Sequence, residues 1–157
     1  MIVFMEGEVI LPFVEVTKEI NASPEEVYMV AKDMESYPNF MKNVVKITTL
    51  ERGDAYTVTK WDTRLQGKPI IWTERDEFDD EVRRIDYRLV KGDLKKFEGA
   101  WTFEEIGSKT LVKLTVDFEL GIPMFASLVN PIAVLTVKNN CESMLEGIKS
   151  RVESAKK

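Results

Sequence analysis

Histidine is absent from this sequence, and cysteine occurs once, at position 141. Catalysis by a Ser–His or Cys–His pair therefore has no base. A zinc site of nitrogen and sulfur ligands needs about four such residues and finds a single one. One cysteine also excludes an intramolecular disulfide. No metal and no cofactor is expected. Basic excess is lacking too: Lys+Arg number 22 against 27 Asp+Glu, a formal charge of −5 with both signs interspersed. No patch is left to hold a phosphate backbone, which argues against nucleic acid as a partner. The apolar runs are too short and interrupted for an integral membrane segment of roughly 20 residues. Met1-Ile2-Val3-Phe4-Met5 has neither the basic flank nor the length of a signal peptide. A cytoplasmic address is the resulting expectation. Repeats and disordered composition are also missing, so residues 1–157 are expected to form one domain with a sizeable core.

The residues present fall into an ordered pattern. From Val9 to Ile20, Val14, Val16 and Ile20 alternate with Glu15, Thr17 and Glu19, as a strand requires. Ser23-Pro24-Glu25-Glu26 then opens a short helix, with a capping serine, a first-turn proline and two acids at the positive end. Tyr37-Pro38 ends it, and a second helical turn is expected over Asn39–Lys42. Six strands follow, near 43–50, 55–65, 69–78, 83–91, 94–105 and 110–120, joined by turns short enough to imply sequential antiparallel pairing. After Gly121-Ile122-Pro123 the period changes. Val134, Val137, Cys141, Met144, Leu145, Ile148 and Val152 draw one stripe along a long terminal helix reaching about Ala155. Pro131 suggests a kink in that helix or a loose lead-in before it. The class is α+β: a curved antiparallel sheet of about seven strands wrapped around a long C-terminal helix, with two short helices after the first strand. Such a wrap rarely fills its interior, and a cavity is the expected leftover.

Particular residues carry a resemblance beyond this order. They are Ile20-Asn21-Ala22-Ser23-Pro24-Glu25-Glu26-Val27-Tyr28, then Asp33 through Tyr37-Pro38 to Phe40. Gly99-Ala100-Trp101-Thr102-Phe103 and the closing Asn139-Asn140, Met144-Leu145 and Ile148-Lys149 complete the set. From Val14 to Lys156 the chain resembles the START-like superfamily, also called Bet v 1-like or helix-grip. Within it the polyketide cyclase/dehydrase and coenzyme Q-binding branch is the nearest in likeness. The resemblance implies a deep cavity between sheet and helix for lipids, quinones, isoprenoids or polyketides. Some members of the aromatase/cyclase branch assist ring closure, while others bind or carry, and the fold alone does not choose.

Nine residues are candidates for contact with such a ligand: Tyr28, Trp61, Trp72, Arg75, Tyr87, Trp101, Phe118, Leu128 and Ile132. The indoles offer flat apolar walls and one N–H donor each, yet they serve equally well as plain core. Arg75 shares a face with Thr73, opposite Trp72 and Glu74. Turned inward it would bind a carbonyl or enolate oxygen, the role that the resemblance to aromatase/cyclases implies for an arginine. Turned outward it would pair with Glu77, the commoner fate of a strand arginine. Tyr87, between Ile85 and Leu89, is the other catalytic candidate, as a proton donor or as an ordinary buried tyrosine. Asp33, Glu74 and Asp76 are carboxylates near the expected cavity, with nothing in the sequence to make two of them face each other. Met124, Phe125, Leu128, Val129, Ile132 and Leu135 exceed what one stripe needs and form either a gate or a core-side lead-in. Two functions follow as expectations: a binding or transport protein for a hydrophobic small molecule, or a cyclase, aromatase or dehydratase. A transient membrane or protein partner is a third, weaker expectation.

Overall fold

A computed structural model describes residues 4–5, 8–9, 13–119 and 130–155. Strands β1 (Phe4–Met5) and β2 (Glu8–Val9) form a two-residue antiparallel ladder. The main sheet uses β3 (Phe13–Ile20), β4 (Val44–Arg52), β5 (Tyr56–Leu65), β6 (Lys68–Asp79), β7 (Arg84–Gly92), β8 (Lys96–Ile106) and β9 (Lys109–Glu119). Their spatial order is β3-β9-β8-β7-β6-β5-β4, every pair antiparallel. Six consecutive strands thus form a meander, and β3 returns to pair with the last of them. Helix α1 (Pro24–Lys32) and a 3-10 helix (Met34–Asn39) bridge β3 to β4 across the open end of the sheet.

The period-2 alternation decides which side of the sheet is core. In β9, Val112, Leu114, Val116 and Phe118 are buried, while Leu111, Lys113, Thr115 and Asp117 are half-exposed. Helix α2 (Asn130–Ser154) packs its buried residues Val137, Cys141, Leu145, Ile148 and Val152 into the concave face. Its 25 residues extend about 37 Å, enough to cross the whole sheet.

Helix α1 begins as its sequence dictates. The Ser23 hydroxyl accepts from the Glu26 N–H, and Glu26 accepts from the Ser23 N–H, a reciprocal capping box. The second short helix lies earlier than Asn39–Lys42, because Met34 and Tyr37 are drawn into the core and Asp33 accepts a hydrogen bond from Ser36 at 2.6 Å. Pro38 sits inside it, where in so short a 3-10 helix its missing N–H removes a single bond. Pro131 is the second residue of α2, a position whose N–H has no helical partner to lose, so no kink need follow from it.

Two close approaches need glycine. A Cβ on Gly147 of α2 would stand 2.6 Å from the Phe40 carbonyl oxygen, so glycine lets the corner after the 3-10 helix lie directly on α2. A Cβ on Gly99 of β8 would stand 1.9 Å from the Thr115 carbonyl oxygen and 2.8 Å from the Tyr87 hydroxyl. Tyr87 donates to that same carbonyl at 2.6 Å, reaching over the bare glycine to do so. Gly99→Ala is therefore expected to destabilise the fold by roughly 3 kcal/mol or more, through overlap with rigid backbone. Ser23→Ala, which removes only a cap, is expected to cost about 1 kcal/mol. Urea unfolding of both variants measures the contrast, and equal losses would contradict it.

Candidate functional site

Between the concave face and α2 lies a hollow walled by Trp61, Trp72, Tyr87, Phe97, Trp101 and Phe118, with Val137, Cys141 and Met144 on the helix side. Trp61 and Trp72 are register partners on β5 and β6, which puts their side chains on one face and stacks the indoles at 5.3 Å and 14°. Tyr37 meets the edge of Trp61 at 5.7 Å, and Phe97 leans on Trp72 at 5.0 Å. Measured to the centre of a water-sized sphere the hollow is about 70 Å³, and measured to its walls about 740 Å³, the second figure counting space open to solvent. The smaller figure governs what fits. It admits about five waters, equivalent to roughly 150 Å³ of liquid and the size of a two-ring aromatic. The hollow is slimmer than the deep cavity that the resemblance implies, because the aromatic rings occupy much of the space under the sheet.

One acidic residue, Glu74, joins the described lining, and it does not stand alone. Trp72, Glu74 and Asp76 occupy alternate positions of β6 and so share its inner face. Glu74 and Asp76 are 2% and 0% exposed. Asp76 Oδ2 accepts from Thr59 at 2.6 Å and from Thr57 at 3.1 Å, both from the inner face of β5. Thr59 in turn accepts from the Trp61 indole at 2.9 Å, and Glu74 Oε1 accepts from the Trp72 indole at 2.8 Å. Trp72 therefore ends on the acid pair directly, and Trp61 reaches it through Thr59. Beside it, β7 carries a bulge: Thr73 pairs with Lys91 and Glu74 with Leu89, leaving Val90 as the extra residue.

Asp76 Oδ1 is enclosed and has no donor if both carboxyls are ionised. A proton on Glu74 supplies one, and it also removes the repulsion between two adjacent buried charges. Burial pushes the Glu74 carboxyl well above the usual carboxylate range, and the neighbouring Asp76 charge raises it further. Asp76 is raised as well, by burial, while hydrogen bonds from Glu74, Thr59 and Thr57 oppose the shift. Both shifts favour a proton on the pair, and the stronger one falls on Glu74, whose proton would serve Asp76 Oδ1.

The remaining candidates divide by location. Tyr87 lines the hollow with its ring, but its hydroxyl is bonded to the Thr115 carbonyl and burial pushes its pKa up, which removes it as a proton donor. Arg75 corrects the inward expectation. It lies on the outer face, 3.0 Å from Glu77 and stacked at 3.8 Å over the Tyr56 ring, because the alternation that turns Trp72 and Glu74 in turns Arg75 out. Tyr28 is buried away from the hollow, edge-on to Phe103, and donates to Asp80 at 2.6 Å, since α1 crosses the far end of the sheet. Asp33 organises the corner through Ser36. Leu135 is 57% exposed and forms no part of a wall. Met124, Phe125, Leu128 and Val129 lie outside the described residues, as does the side chain of Ile132. Cys141 is buried with its thiol pushed up to about 12, so it stays protonated and inert. The residue pattern did not place Glu74 among the ligand contacts. Its signal was available in the shared parity of Trp72, Glu74 and Asp76.

Fold and hollow together define a helix-grip protein with an apolar, aromatic-walled interior. A family profile described as "Polyketide cyclase / dehydrase and lipid transport" matches residues 20–145, and the chain belongs to that family. Among solved structures, TTHA0849 from Thermus thermophilus is 36% identical, with a TM-score of 0.88 over 93% of this chain and 100% of that one. The Zhui aromatase/cyclase from Streptomyces sp. R1128 is 22% identical and superposes with a TM-score of 0.84 over 94% and 97% of the two chains. Major latex protein 22 of Papaver somniferum is 28% identical over 109 residues, 64% of this chain and 69% of its own length. Among the described residues, no helix is long and apolar enough to cross a membrane.

The proton held by the acid pair has a consequence for stability. A raised native pKa gives stability that is full below the unfolded carboxyl range, near pH 4, and that falls as pH rises through the native value. Glu74→Gln replaces the shared proton with a permanent amide donor to Asp76. Between pH 5 and 8 the variant is expected to lose stability less steeply than the parent, by up to about 1.4 kcal/mol per pH unit. Urea unfolding across that range checks it, and parallel curves would contradict the shared proton.

Proposed function

We infer that the chain binds a small apolar molecule in the hollow between sheet and α2. The observation carrying this is the hollow itself: an aromatic wall enclosing unfilled space, where a domain without a ligand to hold would pack to ordinary density. The family description, which includes lipid transport, supports it. The size of the space favours a slim or two-ring molecule, and a bulkier lipid or quinone requires the half-buried Leu65, Phe97 and Met144 to give way. Native mass spectrometry of freshly purified protein reads any ligand carried along. Titration calorimetry with 2-methoxynaphthalene is expected to show saturable one-to-one binding. Val137→Phe, which fills the hollow from α2, is expected to weaken it at least about tenfold with the circular dichroism unchanged. Absence of both a bound ligand and saturable binding would remove this reading.

A second reading, a cyclase, aromatase or dehydratase, is favoured by the acid pair. In such a step the Glu74 proton passes to the departing hydroxyl while the adjacent carbon gives one up to the pair, so that Asp76 goes without its donor only in passing. For a β-hydroxyketone such as 3-hydroxy-1-tetralone this releases water and leaves 1-naphthol. Arg75, facing outward, takes no part. Naphthol formation faster than in buffer, and its loss in Glu74→Gln, is the expected result. Equal rates in protein and buffer would exclude dehydration of this substrate type.

A further inference from the structure

The hollow is apolar except at a few points, and the state of each polar group there restricts what a ligand can present. Thr63 donates to the Ile70 carbonyl at 2.8 Å, and the Tyr87 hydroxyl is bonded to Thr115. Arg64, whose side chain is 40% exposed, places one guanidinium nitrogen on Asp62 at 2.6 Å and on the Thr63 carbonyl at 2.9 Å. The half-buried Asn140 accepts from Asn43 at 3.0 Å, which leaves Glu74 as the fully buried polar group of the lining with an open lone pair. The Trp72 N–H is bonded to Glu74 Oε1. The proton of Glu74 is required by Asp76 Oδ1, an enclosed oxygen with no other donor among the described residues. Withdrawing that proton toward a ligand would leave a buried charged oxygen unsatisfied, a penalty comparable to or larger than the new bond. What remains on Glu74 is acceptor capacity. Oε1 receives one hydrogen bond and has a second lone pair.

We propose that Glu74 is the polar anchor of the hollow and acts as an acceptor, so that the ligand is a ring or chain carrying a hydroxyl that donates to Glu74 Oε1. This rests on the binding reading above and adds the ligand's functional group to it. A ligand carbonyl or ether at the same place meets acceptor against acceptor. A ligand carboxylate meets the negative charge of the pair in an enclosure of low dielectric. Asp76 and its two threonines are the support for this arrangement: they engage the proton of Glu74 and leave its carboxyl free to accept. A phenol or alcohol of two-ring size satisfies both the shape and the pairing.

Three probes of nearly equal size test this by calorimetry at pH 7: 2-naphthol, 2-methoxynaphthalene and 2-naphthoate. The parent protein is expected to bind 2-naphthol about fivefold to tenfold more tightly than its methyl ether, the value of one hydrogen bond to an enclosed acceptor. 2-Naphthoate is expected to bind more weakly than either. Glu74→Gln, whose amide nitrogen donates to Asp76 while its carbonyl still accepts, is expected to keep the preference for naphthol. Glu74→Leu is expected to abolish that preference while still binding the ether. Equal affinity for naphthol and its ether in the parent protein overturns the proposal, whatever becomes of the leucine variant. Loss of the preference in Glu74→Gln overturns it too, since it would make the carboxyl proton the ligand's partner. Naphthoate binding as tightly as naphthol likewise counts against it. Failure of all three probes to bind, with no ligand carried through purification, removes the binding reading itself.

Discussion

The interior of this protein is organised around two adjacent carboxyl groups, Glu74 and Asp76, both buried on the inner face of β6. Burying an acid is unfavourable unless it is neutral or fully hydrogen-bonded, and here Glu74 takes the first solution and Asp76 the second. Thr57 and Thr59 fill one oxygen of Asp76, and the other is enclosed where a proton on Glu74 would serve it. The same network fixes the Trp61 and Trp72 N–H groups, so that the stacked indoles become a rigid wall. Removing Asp76 would strand the Thr57 and Thr59 hydroxyls, whereas removing Glu74 would leave the Trp72 N–H without an acceptor and the wall without its polar point. A structural core and a chemical site are here the same set of atoms.

That network depends on how the sheet is bent. The β7 bulge lies beside Glu74, and the bare backbone of Gly99 lets Tyr87 cross to Thr115. Gly147 brings the corner after the 3-10 helix onto α2, and the buried Tyr37 behind it meets the edge of Trp61. Each device removes bulk where backbone must approach backbone, and the space that remains collects between the aromatic rings and the helix. Stability and vacancy are thus set together: filling the hollow would relieve the unpacked surface, and a ligand of the right size does so reversibly.

Much of the architecture was legible in the residues. The capping box at Ser23, the alternation in β8 and β9 and the stripe of α2 lie where periodicity puts them, since each is a local consequence of strand or helix geometry. The position of the second short helix was not legible, because Tyr37-Pro38 reads locally as a break while burial of Met34 and Tyr37 holds the turn around it. At the site, parity in β6 was enough to oppose Arg75 to Glu74 but gave no sign for either face. Strands with a polar inner face disguise which side is core, and Thr57, Thr59, Glu74 and Asp76 make β5 and β6 strands of that kind.

By itself, then, the sequence determined the order of elements, the class of fold and the exclusion of histidine- and cysteine-based chemistry, all of which follow from composition and local period. Only the tertiary structure decided that Glu74 and Asp76 face inward, that they meet, and that Arg75 and Tyr28 lie elsewhere. The reason is physical: a carboxyl's ionisation and role are set by the donors and the dielectric around it. Here those come from the threonines of one strand and an indole on its neighbour, brought together by register that no single segment encodes.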